Sequence, residues 1–171
     1  NAKEVEIEYE ENERGKKKVM KSKIIAQAKK VFRDYKLMER FVAGIVLTGN
    51  EIKSLCNHQV SINEAYILPQ KQELYVINMP IAVYKCSNPT DLTKTHDPQR
   101  KRKILLKRKE INKLLRVIKA KNYVLVPLQL FITDKGWAKL EIALAQRLRK
   151  YQVKEKIKEK EMKRELRKEV F

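Results

Sequence analysis

The sequence predicts a mainly β protein of the α+β class, a small closed β-barrel with flanking helices and a basic C-terminal tail. Three observations lead there. Five short β-rich runs are separated by turn residues, a helical stretch precedes the last two of them, and beyond Gly136 the chain has no glycine or proline and becomes densely charged. Short strands that end in a hairpin, with helices inserted before it, give a barrel of OB-like character with the helices packed outside.

The elements follow in chain order. The first thirteen residues are rich in glutamate and the next ten in lysine, so residues 1–23 are expected to be a disordered extension. The chain opens on Asn1 rather than Met, as expected of a processed product. Residues 24–146 form the expected barrel. Phe41 to Gly49, "FVAGIVLTG", is a strand bounded by glycine, and Glu51 to Leu55 is a helical turn. Further strands are expected at Ala65 to Leu68, Leu74 to Met79, Tyr123 to Ile132 and Trp137 to Ala145. Between the last two, Thr133, Asp134, Lys135 and Gly136 supply a hairpin turn, with Gly136 free to take a positive φ. Pro127 predicts an edge or a bulge in its strand. Residues 147–171 are the tail, with an imperfect apolar stripe of Ile157, Met162, Leu166 and Val170. An isolated helix of this kind is marginal in water and should complete its order on a partner.

The stretch "DPQRKRKILL", Asp97 to Leu106, predicts a helix start, with Asp97 as N-cap and Pro98 in the first turn. Arg100, Lys101, Arg102 and Lys103 would then surround one helical turn. Ile104, Leu105 and Leu106 would open an apolar face continued by Ile111, Leu114, Leu115 and Ile118.

Forty Lys and Arg against twenty-one Asp and Glu give a net charge of +19, which implies a polyanionic partner. Nucleic acid fits better than a membrane, because no apolar run approaches the roughly 20 residues needed to cross a bilayer. Cys56 and Cys86, the two cysteines, sit in no metal-ligand spacing, which supports neither a zinc site nor a disulfide framework and fits a reducing compartment. Four glycines leave no phosphate loop, Cys56 near His58 is no catalytic pair, and Glu51 is a lone acid. The expectation is a non-enzymatic protein without cofactor or metal.

Binding chemistry is better supplied. Lys29, Lys30 and Arg33 surround Phe32 and Tyr35, so cations could hold phosphates while rings stack on unpaired bases, although Phe32 could equally belong to the core. Each phosphate neutralised contributes a log–log salt slope of about 0.7 to 0.9. Selectivity must then come from RNA shape.

At this point blocks of sequence resemble the SmpB family, whose members bind transfer-messenger RNA (tmRNA). "AGIVLTGNEIKSL" at 43–55 is similar to the family's strand and helix signature, "DPQRKRKILL" to its basic block, and "VPLQLFITDKGWAKLEIALA" at 126–145 to its closing hairpin. The resemblance implies an OB-like barrel that grips the tRNA-like domain of tmRNA through the cations above together with Glu51, Lys53 and Ser54. It implies delivery of that RNA to ribosomes stalled in translation. The tail, carrying Arg147, Arg149, Lys150, Tyr151, Lys154, Lys158 and Lys163, would fold as a helix in the empty message channel beside small-subunit rRNA. The protein would act as a monomer in the RNA complex, in a bacterial cytoplasm or an organelle of bacterial descent such as a plastid. A structural ribosome-associated or general RNA-binding protein without a tmRNA partner is the alternative.

Several positions depart from the family pattern. Ala28 stands for an asparagine, Arg33 for a histidine, Val42 for an acid, Cys56 for an arginine and His58 for a glycine. In the tail, Arg147, Leu148 and Arg149 stand for Gly-Lys-Lys, and Gln152, Val153 and Lys154 for Asp-Lys-Arg.

Overall fold

Strand pairing carries the chain round into a ring. In a computed structural model that describes residues 4–11, 17–84 and 96–169, the order is β1 (Glu4–Glu11), β2 (Lys17–Gln27), α1 (Val31–Asp34), β3 (Tyr35–Ile45), α2 (Gly49–Cys56), β4 (Tyr66–Gln70), β5 (Glu73–Ile77), β6 (Arg102–Leu105), α3 (Arg108–Lys121), β7 (Val124–Thr133), β8 (Ala138–Arg147) and α4 (Lys150–Glu169). All pairings between these strands are antiparallel, in the order β7, β4, β5, β6, β3, β8, and β8 returns to β7. The β4–β7 closure is slight, with Ile67 opposite Leu125, and β2 takes over that edge of β7 further along at Gln129 to Thr133.

The five expected strands are present as β3, β4, β5, β7 and β8. Gly136 takes φ +81° in the turn between β7 and β8, and the register shifts between Pro127 and Gln129, the bulge that proline signalled. Leu74, Leu125, Leu128, Leu130, Leu140 and Ile142 lie inside with essentially no exposed surface. Burying each such side chain is worth about 1.5–3 kcal/mol. Half-exposed pairs such as Lys30–Glu64 and Lys113–Glu39 contribute at most about 1 kcal/mol, so the apolar interior holds the ring.

Two expectations are corrected. Asp97 does not start a helix: its Oδ1 accepts from the Gln99 N–H at 2.9 Å and its carbonyl from the Arg100 N–H at 3.1 Å, which closes a single turn. The same capping chemistry serves turns and helices alike. Arg102–Leu105 then runs as β6, pairing with β5 and β3. The helix begins only at Arg108, where the Lys107 N–H donates to Glu110 at 3.0 Å. Its inner face is Ile111 and Leu114, and it ends at Asn122 in the left-handed conformation.

The expected disordered extension is likewise replaced, over its described part, by the β1–β2 hairpin. Register sets Glu4 opposite Lys23, Glu6 opposite Lys21 and Glu11 opposite Lys17. Blocks that look segregated along the chain are brought into antiparallel register when it folds back. Val5, Ile7 and Tyr9 alternate with glutamates, a period of two that the charge pattern hides. Because β2 runs to Gln27, the boundary expected at 23/24 falls within a strand.

Candidate nucleic-acid interface

The basic block at 100–103 meets α2 first. Thr48 caps α2: its Oγ1 accepts from the Glu51 N–H at 3.4 Å, and its own N–H donates to Glu51 Oε2 at 3.0 Å. That reciprocal cap aims the Glu51 carboxylate inward, where it has no exposed surface. Arg100 grips it with two bonds, Nε to Oε1 at 3.1 Å and Nη2 to Oε2 at 2.8 Å. Arg102 donates Nε to Oε1 at 3.0 Å, and its Nη2 lies 3.0 Å from the same oxygen. The other Arg102 donors reach the carbonyls of Met79 at 2.7 Å, Arg100 at 2.9 Å and Pro98 at 3.2 Å. The five-donor guanidinium is thus fully committed inside the protein.

Burial pushes the Glu51 carboxyl up, but the bonds from Arg100, the Thr48 N–H and Arg102 outweigh it and hold the group at about 2. Burial lowers Arg102 and Glu51 pulls it back, whereas the bond to Glu51 raises Arg100.

This geometry corrects part of the expected RNA-contact set. Glu51, Ser54 and Arg102 have no exposed surface and cannot meet a phosphate or base in this conformation. Within the block, Lys101 is exposed, Lys103 is paired to Glu73 at 2.6 Å, and Arg100 is about a third exposed. Lys53 is exposed on the outer side of α2, with its Nζ 5.4 Å from the Tyr84 ring centroid.

The second group gathers around α1. Lys29 and Lys30 are exposed in the turn before it, and Lys30 Nζ pairs with Glu64 at 2.7 Å. Arg33 bonds Asp34 at 2.8 Å, which raises its pKa, while half its side chain remains open. Phe32 resolves between core and surface as a partly exposed ring, with the Arg40 guanidinium 5.9 Å from its centroid. Tyr35 ends α1 and lines a groove of about 490 Å³ with Lys30, Tyr66, Leu68, Tyr123 and Arg147. Tyr66 is 41% exposed, and sequence reasoning missed it together with Tyr123. The signal was available: alternation in β4 sends Ile67 inward and therefore Tyr66 and Leu68 outward.

The tail starts at this same place. Tyr35 pairs with Arg147, and the Leu148 N–H donates to the Asp34 carbonyl at 3.0 Å. The expected tail residues Arg147, Arg149, Lys150, Tyr151, Lys154, Lys158 and Lys163 are all exposed. Lys156, absent from that set, donates to the Phe32 carbonyl at 2.8 Å and the Tyr35 carbonyl at 3.2 Å. The expected sites therefore divide. The α1 group and the tail root come together, whereas Arg100 meets the Val46 carbonyl just past the far end of β3, whose eleven residues span roughly 35 Å. No helix among the described residues is long and apolar enough to cross a membrane.

Comparison with known proteins joins both regions in one family. The family model for SmpB protein matches residues 25–171. The SsrA-binding protein of Wolbachia sp. subsp. Drosophila simulans (strain wRi) is 41% identical over 128 residues, covering 75% of this chain and 83% of the relative. That of Geobacillus kaustophilus (strain HTA426) is 43% identical over 133 residues, covering 78% and 83%. A solved structure described as "tmRNA-SmpB: a journey to the center of the bacterial ribosome" aligns with TM-score 0.55 and 35% identity, covering 69% of this chain and 80% of its own. The ring, the basic α1 group and the tail helix thus all fall within one matched stretch, and the chain belongs to the SmpB family.

Proposed function

We propose that this protein is an RNA-binding adaptor of ribosome rescue, which binds the tRNA-like domain of tmRNA and brings it to stalled ribosomes in trans-translation. Membership of the SmpB family over residues 25–171, ring and tail together, carries the reading. The relatives' name, SsrA-binding protein, and the ribosomal setting of the solved neighbour support it.

The chemistry is binding rather than turnover. Exposed Lys29, Lys30, Lys53, Lys101 and Arg33 supply phosphate contacts, and Phe32, Tyr35, Tyr66 and Tyr123 offer rings beside them. The tail, a 20-residue helix, presents Lys150, Tyr151, Lys154, Lys158 and Lys163 to an RNA-walled channel. The bacterial-ribosome setting of the solved neighbour supports work in a bacterial cytoplasm or an organelle of bacterial descent.

The two parts are separable. Truncation after Arg149 keeps all of β8 and the Leu148–Asp34 bond, so binding to the tRNA-like domain should stay within about threefold, less than about 0.7 kcal/mol, while peptide tagging on stalled ribosomes disappears. Equal loss of both activities would refute this division of labour.

A further inference from the structure

The joint between ring and tail is short. Two residues, Leu148 and Arg149, separate β8 from α4. Gln152 and Val153 are half-buried, whereas residues 154–168 are all exposed. The helix is about 30 Å long, so a swing of 20° at its root moves the far end by about 10 Å. Something must set its direction if the tail is to enter a channel. The Arg149 N–H bonds Gln152 Oε1 at 2.9 Å, but that contact lies within the tail itself.

Lys156 reaches out of the helix. Its ammonium sits 2.8 Å from the Phe32 carbonyl and 3.2 Å from the Tyr35 carbonyl. The Phe32 carbonyl belongs to the last turn of α1, where carbonyls lack helical partners and attract cations. With the Leu148–Asp34 bond, this gives α4 a second point of attachment, eight residues further along the chain, and two points fix a direction where one leaves a pivot.

We propose that Lys156 is a positioning residue that sets the direction of the tail helix by seating on the carbonyls of Phe32 and Tyr35. The inference rests on the role given to the tail above. It also ties the tail to the backbone on either side of Arg33, so the α1 surface and the tail root move as one body.

The test uses the full chain with Cys56→Ser and Cys86→Ser, and spin labels on cysteines placed at exposed Lys109 and Glu161. Pulsed dipolar spectroscopy should give one narrow distance distribution for the parent chain. Lys156→Met keeps the apolar stem and the helix propensity but removes the donors, and it should broaden that distribution. Lys156→Arg should restore it. Tagging on stalled ribosomes should fall about tenfold in Lys156→Met if about one free tail in ten then points correctly, with binding to the tRNA-like domain unchanged. An unbroadened distribution in Lys156→Met overturns the seat, and a broadened one with full tagging overturns its positioning role. Absence of tagging by the parent chain would instead overturn the proposed function, and the distance measurement would still judge the lysine.

Discussion

Replacing Glu51 by glutamine should remove about 3 kcal/mol of stability, because it strips the carboxylate from two arginines, one of them wholly buried. The magnitude follows from the carboxyl's own titration. It is held at about 2 against an ordinary 4.5 by its bonds to the two arginines and the Thr48 N–H, and that gap between the folded and unfolded chain is worth about 3 kcal/mol. An independent figure agrees: removing one partner of a buried ion pair costs about 3–5 kcal/mol, since the other charge stays uncompensated. Against a domain stability of about 5–15 kcal/mol this is a large fraction, and it corresponds to a fall in Tm of about 6–12 °C. The pH dependence has a definite sign. A carboxyl whose folded pKa is depressed contributes fully above about pH 4.5, and the contribution is lost as pH falls through about 2. Urea melts of parent and Glu51→Gln should therefore differ by about 3 kcal/mol at pH 7 and converge toward pH 2. Equal stability at pH 7, or a gap as wide at pH 2.5 as at pH 7, would refute the reasoning.

Lys29→Ala with Lys30→Ala should lower the salt slope of RNA binding by about 1.4–1.8 and leave the melt unchanged, because both side chains are exposed. Arg102→Ala should do the reverse, destabilising the fold in urea while the slope of the folded fraction holds, because its guanidinium never meets solvent. Tyr66→Ala should weaken RNA binding by about 1–3 kcal/mol if its exposed ring stacks on a base, measured by filter binding at fixed salt. Gly136→Ala should cost about 1 kcal/mol in the same melts, since φ +81° suits glycine and strains alanine.

Legibility in the sequence followed the range of the interactions. Strands β3, β4, β5, β7 and β8 were readable because their β-rich residues and turn signals are local, and so was the bulge after Pro127. The run around Arg100 was misread because Asp97 and Pro98 suit a turn as well as a helix. What decides between them is Glu51, some fifty residues away, which draws Arg100 and Arg102 inward. Four cations in a row therefore hold two that serve the interior. The β1–β2 pairing was hidden because its register joins residues 4–11 to residues 17–23 across a ladder, which no local spacing announces. Tyr66 and Tyr123 join Tyr35 in one groove only when β4 and β7 come together, and Lys156 finds its carbonyls more than 120 residues back in the chain. No spacing within the tail announces that contact.

The most direct test of the central claim is binding of this chain to the tRNA-like domain of its own tmRNA, set against an elongator tRNA of similar size across a salt series. Recognition by shape predicts a preference of at least about tenfold, about 1.4 kcal/mol, that persists at physiological salt. Equal binding to both RNAs, fading together as salt rises, would contradict the account and leave only a basic RNA-associated protein.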